Sequence, residues 1–210
     1  LKFSPDGRTL AMATYADDVR LFDTSSWREL PPLGPHAAGV FTLAFSRDGK
    51  LLASGGGIRS RRSLVGEIKL WNTADWSVLQ TYYGHSRKVY GLAFLPDNRT
   101  LLSGAEDSTL SAWDTGDLAR RTPLRTVLAH SGALWDVDVS PDGAVVATAG
   151  TDNAVRLWST AELVREPENP VERADYARVV IDLAFADEGR LTCTSVMDGT
   201  VVVQDAATGV

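Results

Sequence analysis

The 210-residue sequence contains one cysteine, Cys193. A lone cysteine excludes an internal disulfide framework and fits a reducing compartment, so a cytoplasmic location is expected. Long apolar runs are missing too. No stretch approaches the roughly 20 residues that carry a helix across a bilayer, so no membrane partner is expected. Positive charge is scarce: 21 Lys and Arg against 27 Asp and Glu give a formal charge of −6. Without a global basic field, nucleic acid is a poor partner. There is no glycine-rich phosphate loop, because Gly55-Gly56-Gly57 lacks the Lys-Ser/Thr sequel. Helical periodicity is weak, and Thr160 to Val164 leaves room for one turn at most.

What the sequence does have is repetition. A tight-turn tripeptide recurs as Pro5-Asp6-Gly7, Arg47-Asp48-Gly49, Pro96-Asp97-Asn98, Pro141-Asp142-Gly143 and Asp187-Glu188-Gly189. Pro, Asp and Gly or Asn set the dihedrals of such turns. The third residues lie 42, 49, 45 and 46 apart. A second anchor closes each unit: Phe22-Asp23, Trp71-Asn72, Trp113-Asp114, Trp158-Ser159 and Gln204-Asp205, spaced 49, 42, 45 and 46. Turn and closing anchor are 15 residues apart in four repeats and 22 apart in the second, which therefore contains an insertion. Between anchors the chain alternates in short runs such as Val40 to Phe45, Leu51 to Ser54 and Glu67 to Trp71. Short strands between turn signals indicate an all-β meander. A period of 40–45 residues with a closing Trp-Asp pair is the mark of a β-propeller.

With Gly84-His85 opening and Trp113-Asp114 closing the third repeat, and Ala129-His130 and Trp158-Ser159 doing so in the fourth, the chain resembles WD-repeat proteins throughout. The resemblance implies an all-β propeller of four-stranded blades around a channel. The innermost strand, a, lines the channel, and the b–c and d–a loops form the top face. One domain of five repeats is expected, over 1–33, 34–82, 83–127, 128–173 and 174–210. Family members commonly close about seven blades, so a larger ring, or a partner at the open edges, is expected.

All three histidines, His36, His85 and His130, fall just before strand a. The resemblance implies a hydrogen-bonded brace of His85, Ser103, Asp107 and Trp113 in the third repeat, and of His130, Thr148, Asp152 and Trp158 in the fourth. His, Ser and Asp together could also be a hydrolase triad. Recurrence once per repeat favours the brace, which leaves no histidine for metal or general-base chemistry. Neither cofactor nor metal nor catalytic residue is expected. The second repeat has His36, Ser54 and Trp71, with Val65 in the aspartate's place. The fifth offers Tyr176, Thr194, Asp198 and Gln204; the first offers Met12, Ala16 and Phe22, with Asp17 one position late. These three blades are expected to be less rigid than the third and fourth. Cys193 aligns with strand-b positions Ala53, Leu102 and Ala147 and reads as a small core residue.

Partner binding is expected on the top rim. Phe41, Tyr90, Trp135 and Ile181 recur near the start of strand a, Lys88 precedes one of them by two, and Tyr15, Glu106 and Met197 lie at the b–c loops. Aromatic residues are common interface anchors. Alternation, with Val40 and Thr42 on the other side of the strand, is expected to aim Phe41. The insertion carries Arg59, Arg61 and Arg62; it is either a solvated loop or an anion-attracting finger. Asp136 and Asp182 read as a hydrated channel wall, and Trp27 and Trp76 as cover for the outer strand. The function expected is a non-enzymatic protein- or peptide-binding scaffold or sensor within a larger signalling or regulatory protein. Its repeats resemble the propeller arrays joined to bacterial signalling ATPases and kinases. The alternatives are an enzyme or small-ligand binder using the channel, and a structural spacer.

Overall fold

The computed structural model describes residues 1–59, 64–164, 171–175, 180–186, 191–196 and 201–205, with side chains for 1–57, 65–161 and 163. Five antiparallel sheets follow one another. The first contains β1 (Lys2–Phe3), β2 (Thr9–Ala13), β3 (Val19–Asp23) and β4 (Glu29–Leu33). The second contains β5 (Val40–Phe45), β6 (Leu51–Arg59), β7 (Leu64–Asn72) and β8 (Val78–Tyr83). The third is β9 (Val89–Phe94), β10 (Thr100–Ala105), β11 (Thr109–Asp114) and β12 (Arg125–Leu128). The fourth is β13 (Leu134–Val139), β14 (Val145–Gly150), β15 (Ala154–Ser159) and β16 (Val171–Asp175), with the one-turn helix α1 (Thr160–Val164) after β15. The fifth pairs β17 (Val180–Ala186), β18 (Leu191–Val196) and β19 (Val201–Asp205). Cys193 lies in β18, opposite Ala184.

Each sheet is a meander in chain order because its turns are locally encoded. The Ser4, Ser46 and Ser140 hydroxyls donate to Asp6, Asp48 and Asp142 at 2.6, 2.7 and 2.6 Å. The glycines that follow, Gly7, Gly49 and Gly143, take φ of 71°, 71° and 73°, a region other residues avoid. Asn98 fills that place in the third turn with φ 56°. Because each strand reverses the last, β1–β2 and β3–β4 turns share one end of the blade. The β2–β3 turn and the link from β4 to β5 share the other, the top.

Successive sheets stack face to face. Ala11, Val19, Leu21 and Leu33 of the first sheet pack on Val40, Leu43, Leu52 and Trp71 of the second. Ala53, Ile68, Leu70 and Tyr82, on the other face of the second, meet Val89, Leu92, Leu101 and Trp113. Leu102, Leu110 and Ala112 of the third meet Leu134, Val137, Val146 and Trp158, with Leu163 of α1 filling the edge. Leu70 and Trp71 are neighbours that point into different interfaces, as the two-residue period of a strand requires. Fully burying one such side chain is worth about 1.5–3 kcal/mol, so stacking between sheets carries most of the stability. The inner strands β1, β5, β9, β13 and β17 touch in series and form the inner wall of the array.

Trp27 and Trp76 do not act alike. Both take left-handed backbone, with φ of 54° and 58°. Trp76 packs on the interface between the first two sheets, beside the Ser4-Pro5-Asp6 turn. Trp27 is 62% exposed, so the expected cover over the outer strand is not made by that ring.

Candidate interaction surface and blade braces

In the third sheet, Trp113 Nε1–H donates to Ser103 Oγ at 2.7 Å, and Ser103 Oγ lies 2.6 Å from His85 Nε2. His85 Nδ1 faces Asp107 Oδ2 at 3.2 Å and Thr109 Oγ1 at 3.0 Å. Asp107 also accepts the Ser86 N–H at 2.7 Å. The fourth sheet repeats the arrangement. Trp158 Nε1–H donates to Thr148 Oγ1 at 3.0 Å, which is 2.9 Å from His130 Nε2, and His130 Nδ1 is 2.8 Å from Asp152 Oδ1. Ser131 N–H and Arg156 Nη1 both donate to Asp152 Oδ2, at 2.9 and 2.7 Å.

The second sheet departs from the sequence expectation. Trp71, Ser54 and His36 form the same chain, at 2.7 Å per link, but the carboxylate is Glu67, two residues past Val65. Its Oε2 lies 2.9 Å from His36 Nδ1 and accepts the Ala37 N–H at 3.0 Å. Tyr83 O–H donates to Oε1 at 3.2 Å, and Lys69 Nζ stands 3.6 Å away. Glu67 occupies the strand place of Thr109, which also faces its histidine's Nδ1. One extra methylene lets a glutamate bring its carboxylate there. The second blade therefore has a carboxylate at ion-pair distance from its imidazole, although His36 Nδ1 makes no hydrogen bond of good geometry with it. The fifth repeat's Tyr176 and Asp198 lie outside the described residues.

Electrostatics agree with internal struts. Burial pushes the Glu67 carboxyl up, but bonding to His36 and the Ala37 N–H, with the Lys69 charge, outweighs it and leaves the pKa at about 2. Asp107 and Asp152 are held well below the usual carboxylate range; burial opposes this, and bonds from their histidines and backbone amides prevail. Burial lowers His130, and Arg156 adds to that against the pull of Asp152. Ser54, Ser103 and Thr148 are 0% exposed, so none of these hydroxyls can meet a substrate as a nucleophile. Among the described residues no group of three or more metal-ligating side chains gathers.

The rim is built differently from the alternation expected. The β5–β6 register slips between Val40↔Gly56 and Thr42↔Gly55, so Phe41 is the extra residue of a β-bulge. Tyr90, Trp135 and Ile181 hold the same place in β9, β13 and β17. Val40 and Thr42 consequently do not share a side: Val40 is buried between sheets, whereas Thr42 lines the inner cavity. A bulge bends the strand and re-aims its extra side chain. Here it swings each ring onto the top edge.

The rings meet. Tyr15, 90% exposed on the β2–β3 turn, stands edge-on to Phe41 at 5.7 Å. Phe41 is edge-on to Tyr90 at 5.2 Å, and Tyr90 stacks on Trp135 at 4.6 Å with 15° between planes. Lys88 Nζ sits 4.9 Å from the Phe41 ring centre. Each aromatic pair is worth about 0.5–1.5 kcal/mol beyond burial. Glu106 faces Arg87 at 3.8 Å. A cavity of about 280 Å³ opens beneath Phe41, Tyr90 and Trp135, with Asp136 in its wall. A second, of about 470 Å³, continues between the inner strands past Lys2, Arg47, Asp136 and Asp138. Arg59 ends β6 and Ile181 lies in β17, both placed by backbone alone. Arg61, Arg62 and Met197 lie outside the described residues.

Three copies of a family model, the WD domain or G-beta repeat, match residues 27–60, 76–114 and 121–159, more than half of the chain. The chain belongs to the WD40 family. A crystal structure of RRP9 WD40 repeats superposes with a TM-score of 0.80 at 23% identity, covering 97% of this chain and 58% of that one. This WD40 chain thus spans little more than half the length of that protein, and the likeness is one of fold. Comparison with curated proteins finds no match. WD40 domains typically serve as protein-interaction scaffolds. In this one the brace side chains His36, His85 and His130 are buried, whereas Tyr15 at the end of the aromatic row is 90% exposed.

Sequence reasoning missed Glu67 as a brace carboxylate, the Arg156 contact, the lysine over Phe41 and the bulges. The bulges had a signal. Val40-Phe41, Val89-Tyr90, Leu134-Trp135 and Val180-Ile181 are adjacent apolar pairs where strict alternation would put one apolar residue. That phase change recurs in four repeats.

Proposed function

We propose that this WD40 domain is a non-catalytic interaction module that binds a protein or peptide on its top rim, within a larger cytoplasmic signalling or regulatory protein. One observation carries the reading: Tyr15, Phe41, Tyr90 and Trp135 form an unbroken row of rings at the channel mouth. Large apolar surface at a rim, held rigid by ring-on-ring contact, loses little conformational entropy on binding. Aromatic anchors of this kind dominate binding energies. The buried histidines supply no comparable support for catalysis.

A photo-crosslinking amino acid at Tyr15 in the whole protein identifies the partner in cells. Trp135→Ala is then measured against it by calorimetry. A loss of about 2 kcal/mol or more, some 30-fold in affinity, is expected of a hot spot. Unchanged affinity with an intact fold would exclude the rim as the binding site.

A further inference from the structure

Lys88 is a half-buried cation in an acidic protein. Its ammonium lies over Phe41, and no carboxylate pairs with it among the described residues. Nearby Glu106 is engaged by Arg87. The Lys88 charge therefore stands open in the middle of the aromatic row.

The insertion in the second repeat reinforces it. β6 and β7 are nine residues each, and they pair from Leu51↔Asn72 out to Arg59↔Leu64. β5 follows only to Gly56, and β8 only to Glu67, so the hairpin projects beyond its own sheet on the top side. Its root is clamped. A Cβ on Gly56 would meet Gly39 O at 2.6 Å, and one on Gly57 would meet Lys88 Cα at 2.9 Å. A Cβ on Gly66 would collide with Arg87 O, and the Gly66 N–H donates to His85 O at 3.0 Å. The hairpin thus rises beside Lys88, and its sequence carries Arg59, Arg61 and Arg62. Lys88 is thus a positive charge on the rim of a chain whose net charge is −6.

We propose that the rim selects an acidic peptide: a partner carboxylate pairs with Lys88 beside the hairpin, and an apolar partner side chain rests on the Tyr90–Trp135 stack over the mouth cavity. This rests on the interaction reading above and adds the chemistry of the partner. A basic segment is disfavoured, because the cation place over Phe41 is already filled from within.

The test is a random 12-residue phage-displayed peptide library selected on the whole protein, with Lys88→Glu, Lys88→Gln and Trp135→Ala as parallel baits. Far-ultraviolet circular dichroism confirms that each variant folds. Enriched peptides are expected to be rich in Asp and Glu around an aromatic or aliphatic residue. Measured by fluorescence anisotropy, they should bind Lys88→Gln about 10-fold and Lys88→Glu more than 10-fold less tightly. Raising salt from about 0.1 to 1 M, which shortens screening from about 10 to 3 Å, should weaken them further. Neutral or basic peptides that still need Trp135 would overturn the acidic partner and leave the interaction reading standing. Acidic peptides indifferent to Lys88 would overturn the placement. A 12-mer oligouridine bound through Lys88 with no acidic peptide enriched would replace the partner class. Absence of any rim-dependent peptide would overturn both readings.

Discussion

Replacing Glu67 by alanine should destabilise the second blade far more than its position in a strand suggests. The Glu67 side chain is 4% exposed and serves His36 Nδ1, the Ala37 N–H and Tyr83 O–H. Removal leaves His36 Nδ1 facing no carboxylate in a buried site, whereas Ala37 is exposed and its N–H can turn to water. A buried polar group left unpaired costs about 1–3 kcal/mol, which for a chain of this size lowers Tm by roughly 2–12 °C. Thermal unfolding followed by circular dichroism at pH 7 reads this directly. Glu67→Gln keeps an acceptor for Ala37 and should fall between alanine and the parent. Val65→Asp provides a second discriminator. If the aspartate's usual place were merely vacant, the new carboxylate would stabilise the blade. With Glu67 already present, it sets two carboxylates against one imidazole and should lower Tm. A Glu67→Ala loss under about 1 kcal/mol, or a Val65→Asp gain, would refute the brace as described.

Ser103→Ala removes the oxygen shared by Trp113 Nε1–H and His85 Nε2 and should cost about 2–4 kcal/mol in chemical denaturation; a cost below 1 would show that the bridge is dispensable. Trp27→Gly should stabilise by about 1 kcal/mol, because an exposed ring gives up left-handed strain, whereas Trp76→Gly should destabilise by lost packing; matching effects would contradict the different burial. Acidification should lower Tm in two stages. His130, held below its ordinary 6.5, stays neutral in the fold while the unfolded chain takes up protons, so stability declines as pH drops below that value. Glu67 contributes fully above 4.5 and loses its contribution as pH falls towards about 2, so Glu67→Gln should flatten that lower limb; a Tm flat from pH 7 to 5 would contradict the first stage, and one flat from pH 4.5 to 2 the second. Amide exchange should protect the second, third and fourth sheets alike; faster exchange throughout β5–β8 would restore the sequence expectation of a weaker second blade.

The repeat was legible because turns and closing tryptophans are local signals. Ser-Pro-Asp-Gly fixes its own dihedrals, and Trp71, Trp113 and Trp158 report an interface wherever they recur in register. The braces of His85 and His130 were legible as far as each partner kept its place. Glu67 was not, because a position-by-position pattern treats residue 65 as empty. Two residues along a strand return to the same face, and a longer side chain restores the carboxylate. That substitution is visible only when reach and facing are considered together. Likewise the aromatic residues could be found by alignment, but their direction could not. Alternation would have put Val40 and Thr42 together, and the bulge separates them. The charge beside the row was hidden for another reason: Lys88 looks like any surface lysine until Phe41 is known to lie beneath it.

The imidazoles are locked inside the blades while the rings at the mouth stay available. Nitrogen-resolved NMR of a ¹⁵N-histidine sample at pH 8, recorded with and without added Zn²⁺, tests this most directly. His85, whose Nδ1 faces Asp107 and whose Nε2 meets Ser103 Oγ, should show a protonated Nδ1 and a bare Nε2, and all three histidines should be unmoved by zinc. A mixture of tautomers at His85, or a resonance of any of the three that shifts as metal is added, would contradict the account.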